Sequence, residues 1–404
     1  MKQLTRILFM LTLMGVFLGL TACSATKPSE PASRSSFKQN QQTSVIDLKK
    51  LQSIDSISNT LSKHRSVFVG ETHTAYADHL NQLAVIKNIH QTWKKNLVIG
   101  LEMVQQPFQR YLDDYIAGKI TEREMLKGVE WYDRWRYDFR LYRPIFDYAK
   151  KNQIPLLALN IPKEITRRIT KVGIKGLSAK QRKYLPAYID RSDKNYIKRI
   201  GKVFGRHSTT QSKGLAKFLD AQLGWDEGMA YAAANYLKKH PTMKMLIIAG
   251  GGHIISGEGI PNRLDRMLGS KSAIVLNSVN GALKPSLGDF LLDSPEKKLP
   301  PIGRIGIAIK DTSAGVKISR VSVHGAAKKA GIHKGDLIVS LANSLAKNKQ
   351  QHQKIRNTLD VRLFMEKTKP ADLIKITLKR KNKIITKTVK LGGVNKLRLN
   401  PHRK

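Results

Sequence analysis

Glu71 and His73 stand two positions apart at the end of the run Val67-Phe68-Val69-Gly70, where a carboxylate and an imidazole can both bind protons or metals. Three later stretches repeat this layout. Leu97-Val98-Ile99-Gly100-Leu101 leads into Glu102, Leu156-Leu157-Ala158-Leu159 into Asn160, and Met245-Leu246-Ile247-Ile248 into Gly250-Gly251-Gly252-His253. Glu71, His73, Glu102 and His253 supply two carboxylates and two imidazoles, a ligand set that suits zinc or another first-row divalent ion. A plainer reading makes the three glycines a turn or an anion nest and His253 a cap on the next helix.

These groups meet only if the fold brings four distant segments together. Each segment is a short apolar run of the kind found in strands buried on both faces, and helical stretches separate them. The order predicts a parallel sheet with crossover helices, in which ligands bind beyond the carboxyl ends of the strands. Glu71, His73, Glu102, Asn160 and His253 then converge on one pocket. Leu80, Leu83, Ile86 and Ile89 have the spacing of a crossover helix over Ala75 to Lys95, and Pro107 starts another that runs to Gly118. Lys163 to His240 is helical with breaks near Gly173–Gly176 and Gly205–Ser212, too long for a crossover, and predicts a helical cap over the sheet. A short helix from Pro261 to Leu268 and a last strand from Ala273 to Val279 end the first domain, which spans 45–290.

Between Trp131 and Arg143 the chain is densely aromatic with arginines threaded through it. It reads either as a wall for a planar anionic ligand or as a helix with buried rings and wet guanidinium groups. Lysine and arginine outnumber the acids by 72 to 30, giving a net charge of +42. An anionic partner or surface is implied. Nucleic acid is not expected, because the charge is spread along the chain and there is neither zinc-finger spacing nor a basic region leading into heptads.

Lys2 and Arg6 precede the apolar run Ile7 to Leu20, which is too short for a spanning helix and reads as a secretory signal over 1–22. Leu20-Thr21-Ala22-Cys23 resembles a bacterial lipobox, which implies cleavage before Cys23 and lipidation of that residue. With Ser24 rather than Asp after the cysteine, the resemblance implies a lipid anchor in the outer membrane. Cys23 is the only cysteine, so no intramolecular disulfide forms. Residues 23–44 are polar and read as a flexible tether.

Proline-rich 291–300 reads as a linker, and 394–404 as a basic tail. Between them, short strands surround a small helix, followed by a longer helix over Ile355 to Lys367 and strands over Ile374–Arg380 and Ile384–Leu391. This order, with Ala330-Gly331 and Lys334-Gly335-Asp336-Leu337-Ile338, resembles a bacterial PDZ domain over 301–393. The resemblance implies that a peptide or protein C-terminus adds a strand to a sheet edge, with its carboxylate held by the loop Arg304-Ile305-Gly306-Ile307. That loop departs from the commonest form in having one glycine. The plainer reading is a degenerate PDZ domain packed on the first domain.

Residues 47–280 resemble the ChaN-like haem-binding lipoproteins of the wider Tiki and TraB superfamily. The match rests on Gly70-Glu71-Thr72-His73, Leu101-Glu102-Met103, Asn160-Ile161-Pro162, Trp225-Asp226-Glu227-Gly228-Met229-Ala230 and Gly250-Gly251-Gly252-His253. It implies a binding protein for haem or a related iron porphyrin, serving iron or haem uptake. It also implies a homodimer with two haems stacked between monomers and a tyrosine on each iron. Tyr132, Tyr137 and Tyr142 are the candidate ligands. The Tiki and TraB branch implies the alternative, a metal-dependent hydrolase with Glu71 or Glu102 as general base toward a metal-bound water.

Overall fold

The computed structural model describes residues 46–207, 214–277, 283–344 and 352–393. The signal, the tether with Cys23 and the basic tail lie outside the described residues.

The first unit is a six-stranded parallel sheet in the order β3-β2-β4-β1-β5-β6. Its strands are β1 (Ser66–Glu71), β2 (Leu97–Gln105), β3 (Leu156–Asn160), β4 (Lys244–Gly250), β5 (Ala273–Asn277) and β6 (Phe290–Leu292). Every residue of β1, β2 and β5 is buried, which explains why these strands read as unbroken apolar runs without alternation. The sheet continues past residue 290, because β6 pairs with β5 inside the stretch read as linker. The last two residues expected in β5 lie outside the described residues.

Helices cover both faces. α1 (Tyr76–Trp93), α2 (Gln109–Ile116), α3 (Glu122–Gly128), α4 (Trp131–Arg134) and α5 (Arg143–Lys151) form one side. Val85, Ile86, Ile89, Leu112, Trp131, Phe139 and Phe146 pack there in one cluster with Val67, Val69, Ile99 and Leu101 of the sheet. The long excursion is α6 (Lys163–Val172), α7 (Lys194–His207) and α8 (Leu215–Lys239), followed after β4 by α9 (Ile260–Leu268). No strand interrupts the excursion among the described residues. Met229, Ala230 and Ala233 of α8 pack on the other sheet face with Phe68, Ile247 and Leu264, while Ile165, Ile169, Leu185 and Tyr196 build a smaller core within the cap. Small residues let α8 approach closely. A Cβ on Gly228 would lie 2.2 Å from Ile161, just beyond the end of β3.

The second unit is antiparallel, in the order β12-β11-β9-β8-β7, with β10 (His352–Lys354) on β9. Its strands are β7 (Ile307–Thr312), β8 (Gly315–Val321), β9 (Leu337–Asn343), β11 (Leu373–Arg380) and β12 (Lys383–Lys390). Helices α10 (Ala326–Lys329) and α11 (Thr358–Met365) close it. α11 starts three residues later than Ile355, because Asn357 and Asp360 form a capping box. A parallel sheet with helices and a cap, followed by a small β-rich domain, is the architecture expected from the pattern.

Candidate functional site at the carboxyl ends of the parallel strands

β1 and β4 run in register, with Gly70 opposite Ala249 and Glu71 opposite Gly250. On the other side of β4, Leu101 pairs with Ile248, and beyond it β2 shifts register against β3. Such an irregularity re-aims side chains near a strand end. It releases Glu102, whose Oε2 accepts from the Gly250 amide at 2.6 Å. Asn160 sits alongside, its Nδ2 donating to the Glu102 carbonyl at 2.9 Å and its buried Oδ1 without a partner.

The structure brings Glu71, His73, Glu102, Asn160 and His253 to this one end of the sheet. The two imidazoles are held by carboxylates. His73 Nδ1 lies 2.5 Å from Glu71 Oε1, while Glu71 Oε2 is buried without a partner. His253 Nδ1 lies 2.5 Å from Asp226 Oδ1, and its Nε2 is 3.4 Å from Glu102 Oε1. Asp226 comes from α8 and also accepts from the Tyr196 hydroxyl at 2.7 Å.

Burial pushes the Glu71 carboxyl up, and His73 draws it partly back. Burial also disfavours the His73 imidazolium, but the bond to Glu71 and its charge outweigh that and raise its pKa. For His253 burial is likewise opposed, and Glu102 with Asp226 lifts the ring to about 9. Each imidazole is thus oriented through Nδ1 by a carboxylate that favours its protonated form.

This pairing bears on the expected metal set. Glu71, His73, Glu102 and His253 do converge, yet each imidazole is engaged by a carboxylate. Among the described residues no group of three His, Cys, Asp or Glu is placed to hold a metal ion.

His79 and Asp226 have no place in the strand-end pattern, because both sit on helices. His79, near the start of α1, is buried with Nδ1 3.1 Å from Gln82, and burial lowers its pKa to about 4. Asp78 accepts from the Thr72 amide at 2.8 Å and Gln82 donates to the Val69 carbonyl at 3.0 Å, so α1 fixes the loop that carries His73. Asp226 does lie within the quoted run Trp225 to Ala230. Sequence alone offers no sign that its carboxylate meets His253.

Two rings of the aromatic stretch lie beside the strand-end site. Glu130 (φ 52°) and Arg136 (φ 76°) take left-handed conformations on either side of α4, folding the segment into turns rather than one helix. The turn at Arg136 sets Trp135 and Tyr137 against His73, each ring centroid 4.8 Å from the imidazole.

The three candidate tyrosines have different fates. Tyr137 is partly exposed beside His73. Tyr142 is fully buried, its hydroxyl 3.5 Å from Glu71, and burial followed by the Glu71 charge drives its pKa far up, against phenolate. Tyr132 points to the second unit, donating to Glu366 at 2.9 Å beneath the Arg362 guanidinium at 4.7 Å. Only Tyr137 of the three joins a partly open surface to the pocket.

In the second unit the loop Arg304-Ile305-Gly306-Ile307 precedes β7, the edge strand. Arg304 exchanges backbone bonds with Gly392. The Ile305 carbonyl accepts from Ala327 at 2.8 Å and the Gly306 carbonyl from Ser322 at 2.9 Å. In a trans peptide the amide points opposite to the carbonyl before it, so the Gly306 and Ile307 N–H groups face outward toward the open edge. Gly306 has φ +81°, and a Cβ there would lie 2.9 Å from Gly325, so the loop's single glycine occupies the position that demands one.

A family model described as "Haem-binding uptake, Tiki superfamily, ChaN" matches residues 57–264, and a PDZ domain model matches residues 303–391. A solved structure of ChaN from Campylobacter jejuni with cofacial haem is 19% identical, covering 59% of this chain and 91% of its own, with a TM-score of 0.49. The PDZ domain of a carboxy-terminal protease from Vibrio cholerae, in complex with peptide, is 16% identical over 23% of this chain and 97% of its own, with a TM-score of 0.20. Among curated proteins, RETICULATA-RELATED 5 of Arabidopsis thaliana, a chloroplastic protein, is 24% identical over 234 residues. That match takes in 52% of this chain and 31% of the relative, so the chain spans about a third of that protein. The family model covers more than half of the chain and contains the whole pocket from Glu71 to His253, so the protein belongs to the haem-binding ChaN family of the Tiki superfamily, with haem as the family's cofactor and a PDZ domain as its second unit.

Proposed function

We propose that the protein is an exported lipoprotein of the bacterial outer membrane, anchored through Cys23, that binds haem at the mouth of the strand-end pocket for iron or haem uptake. Its PDZ domain recruits a peptide C-terminus. A haem requires an axial donor, an apolar wall and cations for two propionates, and it supplies the iron centre itself. The residues here fit those demands. His73 and Tyr137 are donors on a partly exposed surface, Trp135 and Tyr137 offer rings, and exposed Arg136 next to Trp135 offers a cation, whereas Arg134 is engaged by Glu130 and Glu164.

The observation that carries the reading is the presentation of His73. Its Nδ1 is locked onto a buried carboxylate, and its Nε2 has no hydrogen-bond partner among the described residues. A carboxylate behind an imidazole fixes ring orientation and raises its basicity toward a metal. For the second unit, the outward amides of Gly306 and Ile307 and the open edge of β7 support capture of a terminal carboxylate and strand addition.

The test is an absorbance titration of the purified chain with haemin, repeated on His73→Ala and Tyr137→Phe. Saturable one-to-one binding is expected, with at least one of these changes altering the spectrum. Absence of saturable binding by the wild-type chain refutes the haem assignment. Normal spectra in both variants refute only the placing of the haem.

A further inference from the structure

The PDZ domain does not hang free of the haem-binding domain. One helix, α11, belongs to both. Val361, Phe364 and Met365 pack in the PDZ core, whereas Leu359 joins the core cluster of the first unit and Leu363 packs against it.

Polar contacts fix both ends of this helix to the segment 122–143. Near its start, buried Asp360 accepts from Arg123 Nε at 2.6 Å while its other oxygen accepts from the Arg356 amide. Just past its end, Glu366 accepts from the Tyr132 hydroxyl at 2.9 Å and from Arg143 at 2.6 Å, and Arg143 is forked onto Glu122 at 2.8 Å. Arg362 lies over the Tyr132 ring. The Glu366 side chain is only 9% exposed, so these bonds are sheltered from the screening that weakens surface pairs.

The same helix stands over β7, the open strand. Asp311 of β7 accepts from both the Thr358 amide, at 2.8 Å, and the Thr358 hydroxyl, at 2.9 Å. A peptide added along β7 must therefore lie against α11. Beyond Tyr132 the first-unit segment continues without a break to Trp135 and Tyr137, the two rings that flank His73. Trp131 ties that turn together by donating to the Tyr137 carbonyl at 2.9 Å.

We propose that peptide binding at the PDZ edge and ligand binding at the strand-end pocket are thermodynamically coupled, with α11 as the shared element and Glu366 as the positioning residue between them. An occupied groove holds α11 in place. Through Glu366 and Arg362, the fixed helix orders Tyr132 and the wall formed by Trp135 and Tyr137. A ligand that needs the same wall then meets an already ordered surface, which gives positive cooperativity without any change of fold. The inference rests on the haem and peptide readings for its ligands, but the linkage itself does not require haem.

The experiment uses the full chain and, as probe, a peptide selected on it from a library of random free C-termini. Amide hydrogen exchange over residues 131–143 is followed with and without saturating peptide, in the absence of haem. Slower exchange is expected with peptide, and Glu366→Gln should abolish the slowing while keeping the peptide Kd. If Glu366→Gln folds poorly, Arg123→Ala severs the other end of the helix and serves in its place. In the wild-type chain the haemin Kd should fall by about fivefold when peptide is bound, and the peptide Kd should fall by the same factor with haemin. Unchanged or faster exchange with peptide overturns the coupling whatever haemin does, and so does a library that yields no binder. Slowed exchange in a chain that binds no haemin upholds the coupling and rejects the haem reading alone.

Discussion

Gly250→Ala is the most incisive perturbation of the pocket, because one methyl group would enter the space in front of His73. The backbone at Gly250 has φ −56° and ψ 136°, which alanine adopts freely, so any effect comes from space rather than conformation. A Cβ there would lie 2.8 Å from His73 Cε1, 3.3 Å from Nε2 and 3.5 Å from Glu102 Oε2. Ordinary carbon contact requires a retreat of roughly 0.7–1.2 Å. Neither side gives way easily. The Gly250 amide is bonded to Glu102 at 2.6 Å, and His73 is held on Glu71. Inserting a methyl into such a packed site costs about 1–3 kcal/mol. If the strain falls on the bound state, the haemin Kd rises by roughly 5- to 150-fold. If it falls on the fold, the melting temperature drops by roughly 2–10 °C. Haemin titration and thermal melting, run together, separate the two. Gly252→Ala is the control, since a Cβ there meets nothing within 4 Å. A Gly250→Ala protein with wild-type melting and a haemin Kd within about twofold of wild type would refute the placement of the ligand against His73. Equal loss in Gly252→Ala would refute it too.

Three other outcomes are expected. His253 is raised to about 9 in the folded chain, above its ordinary 6.5, so its charged pairing stabilises the fold fully below pH 6.5 and is lost as pH climbs through about 9. The stability difference between wild type and His253→Gln, measured by denaturant melts, should shrink across that window, and a constant difference would refute the pairing. Among the tyrosines, Tyr137→Phe should alter the haemin spectrum, Tyr132→Phe should act mainly through its lost bond to Glu366, and Tyr142→Phe should leave the spectrum nearest wild type. A dominant spectral effect of Tyr142→Phe would mean that the buried core opens to the ligand. Cys23→Ser should abolish incorporation of a fatty-acid analogue, since no other cysteine exists to carry the diacylglyceryl group, and undiminished labelling would refute the anchor.

The parallel sheet was legible because strands buried on both faces need unbroken apolar runs, and each such run stops where its backbone reaches the polar end of the sheet. The second unit was legible from its short strands and from Ala330-Gly331 and Lys334-Gly335-Asp336-Leu337-Ile338, where Gly331 and Gly335 take the left-handed φ that only glycine adopts cheaply. The aromatic stretch was not. Left-handed turns at Glu130 and Arg136, unmarked by glycine, break any period, so no count along the chain tells Tyr137 at the pocket from Tyr142 in the core.

The sequence by itself determined the layers of this protein and the end of the sheet where its chemistry gathers, since strand periodicity and strand termination are local properties of the chain. Only the tertiary structure decided what those groups become. Asp226 reaches His253 from a helix, and Glu366 reaches Tyr132 from the other unit, 234 positions away in the chain. Glu71 and Asp226 fix the orientation of the two histidines by holding each ring through Nδ1. Those outcomes depend on which faces are pressed together and how much water is excluded there, and neither quantity is written in the spacing of residues along one chain.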